Sequence, residues 1–269
     1  MIGSRSTPKG GFGNRLLNYI SMRQLSRELG VGFFMPNRLD GNWVQGIHRP
    51  PRIPSFLRSF EAFSRDQVLE PGFVALAQAS LASGRSVVLK PRLLTEALAR
   101  FDFVPSASLV KHRFKLCKKH AEGEQAPIVL HLRGTDFADW KPNAVLGEGF
   151  YRDSLSWLDS QGYSDSPVRI CTEDNDHPAL ASLKRFLRRK HRLVDISCES
   201  PFDCDYASLI AAQHVVSSPS TYAITACLLG SASVIHNYHW VDSRIREGDL
   251  FWQKVRENSI KGYNVLAEL

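Results

Sequence analysis

The chain has 269 residues, of which 43% are hydrophobic, 10% aromatic and 23% charged. That is the profile of a soluble globular protein with room for one large domain or two of ordinary size. No stretch reaches the roughly 20 apolar residues that a membrane span needs, and Met1–Gly13 is polar and glycine-rich where a secretion signal would be apolar. The five cysteines are odd in number, scattered and never spaced as CxxC, which argues against a disulfide framework or a zinc site and predicts buried thiols in a reducing compartment. A formal net charge of +7 implies affinity for anions. A phosphate-bearing ligand, an anionic membrane surface, nucleic acid and a plain solubilising surplus all fit that charge.

In chain order, Gly10–Asn14 opens a segment, Arg15–Leu29, whose apolar residues Leu16, Leu17, Ile20, Leu25 and Leu29 recur at helical spacing. Gly30 is its predicted stop, and Val31–Met35 reads as a short buried strand ended by Pro36. Asn37–Pro54 is rich in Pro, Gly and Arg and reads as a long loop. Helical and short strand patterns resume between Ser55 and Lys115, with Ser86–Leu89 the clearest strand. The charged connector Lys111–Glu124 then marks a boundary, dividing the chain into domains at 1–118 and 119–269.

Pro127–Leu132 (PIVLHL) is apolar enough for a central parallel strand buried on both faces. A helix over Glu148–Ser160, a strand over Val168–Cys171 and a basic helix over Pro178–Arg192 follow. Next come a strand at Leu193–Ile196, a helix at Asp205–Ala212, a strand at His214–Ser217, a helix at Thr221–Leu229 and a strand at Ala232–His236. The apolar run Ala223–Ile235 falls inside this pattern, as a buried helix followed by a strand. Strands alternating with helices of about ten residues predict an α/β fold with a doubly wound parallel sheet.

Such sheets bind ligands in the crevice beyond the carboxyl ends of their strands. Three segments, His131–Phe137, Cys171–Asp176 and Ser217–Thr221, follow predicted strands directly. They therefore converge on one rim. Arg133 offers a two-pronged, permanently charged donor suited to phosphate, or else a structural ion pair with Asp136. Ser217, Ser218, Ser220 and Thr221 precede a helix, where hydroxyls and free N–H groups make an anion site or simply a cap. Gly10, Gly11 and Gly13 have the density of a loop that lets backbone approach a ligand closely, but the run is not GxGxxG and no GK[ST] occurs. Glu173, Asp174 and Asp176, like Asp203 and Asp205, have acid-x-acid spacing that fits either a divalent metal or turn and cap chemistry. The basic run Lys184–Arg192 reads first as a solvated face and second as a contact for membrane or polyanion. The nine histidines show no metal-ligand spacing and read as surface or structural residues.

Gly10-Gly11-Phe12-Gly13-Asn14-Arg15-Leu16, His131-x-Arg133-x-x-Asp136-Phe137 and Ser217-Ser218-x-Ser220-Thr221-Tyr222-Ala223 occur in the order seen in GDP-fucose-dependent fucosyltransferases. The chain resembles the superfamily of bacterial α-1,2-fucosyltransferases, the rhizobial nodulation fucosyltransferase and protein O-fucosyltransferases. Gly149-Phe150-Tyr151, Ile170–Asp174 and Asp205 echo the same family.

The resemblance implies a two-domain GT-B fold, with an acceptor-side α/β domain at 1–118 and a Rossmann-like nucleotide-sugar domain at 119–269. It also implies inverting transfer of fucose from GDP-fucose, as donor substrate, without a catalytic metal or other cofactor. Under it, Arg133 holds the β-phosphate of GDP. Ser218, Ser220 and Thr221 bond phosphate oxygens, and Gly11, Gly13 and Asn14 line the donor from the opposite domain. His131 lies near ribose or phosphate, and Glu173, Asp174 or Asp205 lies near guanine. Many relatives carry a second arginine where this chain has Gly134, and the strand expected before Gly10 is replaced by the polar Ile2–Lys9.

Departure of GDP leaves negative charge that a fixed arginine and helix-start donors stabilise, while the acceptor hydroxyl needs a base. Asp136, Glu148 and Asp139 are the candidates. The expected partners are a GDP-sugar and an oligosaccharide or glycolipid acceptor, with a cytoplasmic setting and peripheral contact with an anionic inner membrane. Rival readings are a GT-B transferase using another nucleotide sugar such as GDP-mannose, and a non-catalytic relative. Nucleic-acid binding is disfavoured, because no helix-turn-helix, zinc finger or RNP-type motif occurs and the basic residues are dispersed.

Overall fold

A computed structural model describes residues 1–4, 11–34, 60–90, 93, 96, 126–134, 144–190, 192–196, 202–218, 220–230, 232–237, 250–257 and 263–268. The boundary segment Lys111–Glu124, the loop Asn37–Pro54, and Asp136, Asp139, Cys117 and Cys198 lie outside them. The chain is an α/β protein with two all-parallel sheets.

The first sheet has the order β2-β1-β4-β3, with β1 Ile2–Gly3, β2 Phe33–Phe34, β3 Phe60–Ala62 and β4 Ser86–Val88. Here the structure corrects one expectation. A strand does precede the glycine-rich segment, because Ile2 and Gly3 pair with Phe33 and Phe34 on one side and Val87 and Val88 on the other. Helix α1, Phe12–Glu28, follows and starts three residues earlier than its apolar periodicity indicates. It stops at Gly30, whose φ of 63° suits glycine, and the N–H of Val31 closes the end on the Ser26 carbonyl at 3.0 Å. Helix α2, Arg65–Leu69, opens on a capping box in which Ser64 and Gln67 bond each other's backbone. Helix α3, Phe73–Ala82, leads into β4.

The second sheet contains β5 Ile128–Leu132, β6 Val168–Thr172, β7 Leu193–Ile196, β8 His214–Ser217, β9 Ser233–His236 and β10 Asn264–Glu268, in the order β10-β9-β8-β5-β6-β7. Numbered within this sheet, the order is 3-2-1-4-5-6 read from β7, the doubly wound arrangement of dinucleotide-binding folds. The chain reverses its winding between β5 and β8.

Helices cover both faces. Helix α4, Glu148–Leu158, and helix α5, Leu180–Arg189, bury Tyr151, Leu155, Leu158, Leu183 and Leu187 against Ile128, Leu130, Ile170 and Val216. On the other face lie helix α6, Phe202–Ala211, helix α7, Thr221–Leu229, and helix α8, Leu250–Arg256. With α1 they pack on Val129, Cys171, Val215 and Val234. The expected helix and strand within Ala223–Ile235 are thus α7 and β9, and among the described residues no helix is long and apolar enough to cross a membrane.

Helix α1 belongs to two cores. Phe12, Leu16, Tyr19 and Ile20 pack with the second sheet's helices, while Met22, Leu25 and Leu29 pack with Ile2, Val87 and Phe73 of the first. Its period carries the apolar stripe from one sheet to the other along its length. Cys171, Cys204 and Cys227 are buried thiols outside any disulfide, and burial pushes the Cys227 thiol up to about 12.

Candidate functional site

The winding of the second sheet reverses where β5 lies beside β8, with His131 in register with Ser217. In doubly wound parallel sheets the carboxyl edge at such a switch point is where ligands bind. The first and last of the three predicted segments begin there, at His131 and Ser217.

Ser217 Oγ donates to the Ser218 carbonyl at 2.5 Å, so His131 Nδ1 at 3.3 Å is the donor to Ser217 and carries the ring proton. The imidazole is 5% exposed and stacks on Tyr222, 5.6 Å between centroids. Burial, reinforced by Arg133 and His177, pushes its pKa down to about 3. It is therefore neutral at physiological pH.

Arg133 follows directly. Its N–H donates to Ser218 Oγ at 3.3 Å, and Nη1 lies 2.9 Å from Glu173 Oε1. Tyr151, from α4, donates its hydroxyl to the His131 carbonyl at 3.2 Å and lies 2.9 Å from Ser218 Oγ. Burial raises the Tyr151 pKa well above the usual phenol range. Ser218 is fully buried, so its hydroxyl joins β5, β8 and α4. Ser220 is the N-cap of α7 and accepts from the Ala223 N–H at 3.2 Å. Thr221 begins the helix, and its carbonyl accepts from Thr225 Oγ1 at 2.8 Å.

The start of α1 lies against the start of α7. A Cβ on Gly13 would fall 2.3 Å from both the Thr221 carbonyl carbon and the Tyr222 nitrogen, whereas one on Gly11 would meet nothing within 4 Å. Phe12 anchors the contact edge-on to Tyr206 at 5.2 Å and Tyr222 at 6.4 Å. Gly11, the N-cap of α1, supplies no side-chain cap. Two helix N-termini, each carrying partial positive charge, thus meet, and Tyr222 of α7 stacks on the ring of His131. On α1, Asn14 accepts from Asn18 Nδ2 through its carbonyl at 2.7 Å.

The acidic loop after β6 closes the other side. Asp174 takes part in a turn, with its N–H donating to Thr172 Oγ1 at 3.1 Å and its Oδ1 accepting from the Asp176 N–H at 3.0 Å. His177 continues it, Nδ1 accepting from the Ala179 N–H at 3.2 Å before α5. Turn chemistry accounts for the backbone N–H and Oδ1 of Asp174. A Cβ on Gly134 would fall 1.8 Å from Asp174 Oδ2, so the carboxylate of Asp174 takes the space that a side chain at 134 would need. Asp205 on α6 and Glu173 both lie close enough to Tyr222 to raise its pKa, although burial raises it more.

Glu148 does not join this cluster. It bonds Ser182 and Arg152, which lower its pKa together with Arg185, and its Oε1 lies 3.0 Å from Arg152 Nη1. Asp136 and Asp139, the other carboxylates expected as base, lie outside the described residues. The basic helix α5 buries Leu180, Leu183 and Leu187 and exposes Arg185, Arg188 and Arg189. Phe186 carries Arg152 at 4.9 Å and Lys190 at 5.0 Å over its ring.

Two rim residues escape a reading by motif. His177 follows Asp174 by three residues at a helix start, a capping signal legible in hindsight. His236 ends β9 in register with Ser217 and bonds the Tyr263 hydroxyl at 3.0 Å; burial pushes its pKa down to about 4. Its only sequence signal is its place at the end of an apolar strand. The four described histidines, His131, His177, His214 and His236, are all buried. Comparison of the sequence with protein-family models and with curated proteins finds no match.

Proposed function

We propose that the chain is an inverting, metal-independent glycosyltransferase of GT-B architecture that moves fucose from GDP-fucose to a glycan hydroxyl. The observation that carries the reading is the convergence of Arg133 and two helix N-termini on the switch point between β5 and β8. A leaving diphosphate needs fixed positive charge that does not reorganise during bond cleavage. A guanidinium on a turn anchored to Ser218 and two abutting helix starts offer such charge. Fucose and GDP are what the resemblance carried by the three motifs implies.

In this mechanism the donor sugar develops positive charge as its bond to the β-phosphate breaks, and Arg133 takes the charge left on GDP. The acceptor hydroxyl attacks from the opposite side and gives its proton to a carboxylate. Glu148 is bonded to Ser182 and Arg152, which lower its pKa, and Asp136 and Asp139 are the other candidates for that role. A glycolipid acceptor at an anionic membrane agrees with the exposed cations of α5.

The test is thermal stabilisation by GDP against UDP, with nucleotide release from GDP-fucose, GDP-mannose and UDP-glucose. Stabilisation by GDP and release from GDP-fucose are expected. Stabilisation by UDP alone overturns the donor, release from GDP-mannose alone changes the sugar, and GDP binding without release or transfer identifies a non-catalytic relative.

A further inference from the structure

We infer that Glu173 governs access of anions to Arg133 and so determines which ligands the site admits, an inference that rests on the reading of Arg133 as the phosphate-binding group. The pair follows from strand register. β5 and β6 run parallel with His131 opposite Cys171 and Leu132 opposite Thr172. The next residues, Arg133 and Glu173, therefore emerge side by side just past the carboxyl edge, with Nη1 2.9 Å from Oε1. The rung after that sets Gly134 against Asp174, whose carboxylate occupies the space a side chain at 134 would need.

The two acids differ in exposure and reach. Asp174 is tied into its turn by Thr172 and Asp176. Glu173 reaches Arg133 on a longer stem and is 48% exposed against 20% for the arginine. A carboxylate is thus held at the guanidinium as an internal competitor. An incoming anion of single charge replaces one such contact by an equivalent one and gains little. A nucleoside diphosphate brings more charge and several oxygens, and displaces the carboxylate with a net gain. Glu173 in this way keeps Arg133 closed to weak anions and open to polyphosphates.

The experiment is a binding cycle by calorimetry with GDP and inorganic phosphate on the wild type, Glu173→Gln, Arg133→Lys, Arg133→Ala and the Arg133→Ala/Glu173→Gln double variant. An ion pair this exposed is weak, so Glu173→Gln is expected to bind GDP about 2- to 5-fold tighter. The gain should be of similar size for inorganic phosphate, because both anions break the same ion pair, and should vanish in the double variant. GDP binding by Glu173→Gln that equals or falls below the wild type overturns the gate while leaving an Arg133-dependent nucleotide site in place. An equal gain in the double variant also overturns it, since removal of a distant negative charge then explains the effect. GDP binding indifferent to both Arg133 substitutions, or absent from the wild type and Glu173→Gln alike, overturns the nucleotide reading and the gate together.

Discussion

Gly13 and Thr221 touch through their backbones: a methyl group on Gly13 would fall 2.3 Å from the Thr221 carbonyl carbon. The two residues lie 208 positions apart, each in the first turn of its helix. This contact brings the amino ends of α1 and α7 together, and only glycine permits it. Gly13→Ala should therefore cost about 3 kcal/mol, because backbone on both sides must move. Gly11→Ala, with open space around it, should cost about 1 kcal/mol or less. Urea denaturation of the two variants checks the contrast, and equal stabilities would refute the close contact.

Arg133→Ala should leave the fold intact, since the residue's tie to Ser218 runs through its backbone N–H. Transfer should fall about 100-fold or more, the usual loss for one preorganised donor to a developing anion. Turnover from GDP-fucose alongside a circular-dichroism melt separates the two effects. Near wild-type turnover would remove Arg133 from the mechanism.

Acid should destabilise the protein well before its carboxylates titrate. His131 has a folded pKa of about 3 against an ordinary value of about 6.5. Between those values the unfolded chain binds more protons, so stability is fully present above pH 6.5 and is lost as pH falls toward 3. At pH 5 the cost for His131 alone is about 2 kcal/mol, and His236, pushed down to about 4, adds with the same sign. His131→Asn keeps a donor for Ser217 and should flatten the loss between pH 7 and 5. An unchanged slope in that variant would show that the ring is not held neutral.

Tyr151 joins α4 to the rim through one hydroxyl, bonded to the His131 carbonyl and beside Ser218 Oγ. Tyr151→Phe should cost about 2 kcal/mol, because the buried Ser218 hydroxyl loses a partner that the added space does not replace. Equilibrium unfolding measures this, and a change within experimental error would show that the hydroxyl bonds contribute nothing net.

Glu96 is 1% exposed, accepts from the Leu250 N–H at 3.1 Å at the start of α8, and lies 3.4 Å from Arg65 of α2. It ties the last described helix to an element beside the first sheet. Glu96→Gln should loosen that tie by about 1–3 kcal/mol and raise amide exchange across Leu250–Arg256 before the global transition. Exchange rates there that match the wild type would place the restraint elsewhere.

Apolar patterning determined the second sheet almost to the residue. The strands Leu193–Ile196 and His214–Ser217 and the helix Thr221–Leu229 fall where their runs of Val, Ile, Leu and Ala predict, because an element buried on all sides leaves few polar interruptions. Strands β1 and β10 left no such trace. β1 has two residues, too few for any period, and exists because Phe33 and Val87 flank it. β10 is found only through its pairing with β9.

The candidate site divides in the same way. Residue types and their positions after strands determined that Arg133, the acidic loop and the serine run share one rim, because parallel strands deliver their carboxyl ends to one edge. Which group meets which was decided only in three dimensions. Arg133 pairs with Glu173, forty residues away, because β5 and β6 are in register. Ser218 and Ser220 spend their hydroxyls on the framework and the cap of α7, since a buried hydroxyl must find a partner nearby. Gly13, whose spacing suggests a ligand loop, also lets two helix starts touch, a distance that no local pattern encodes.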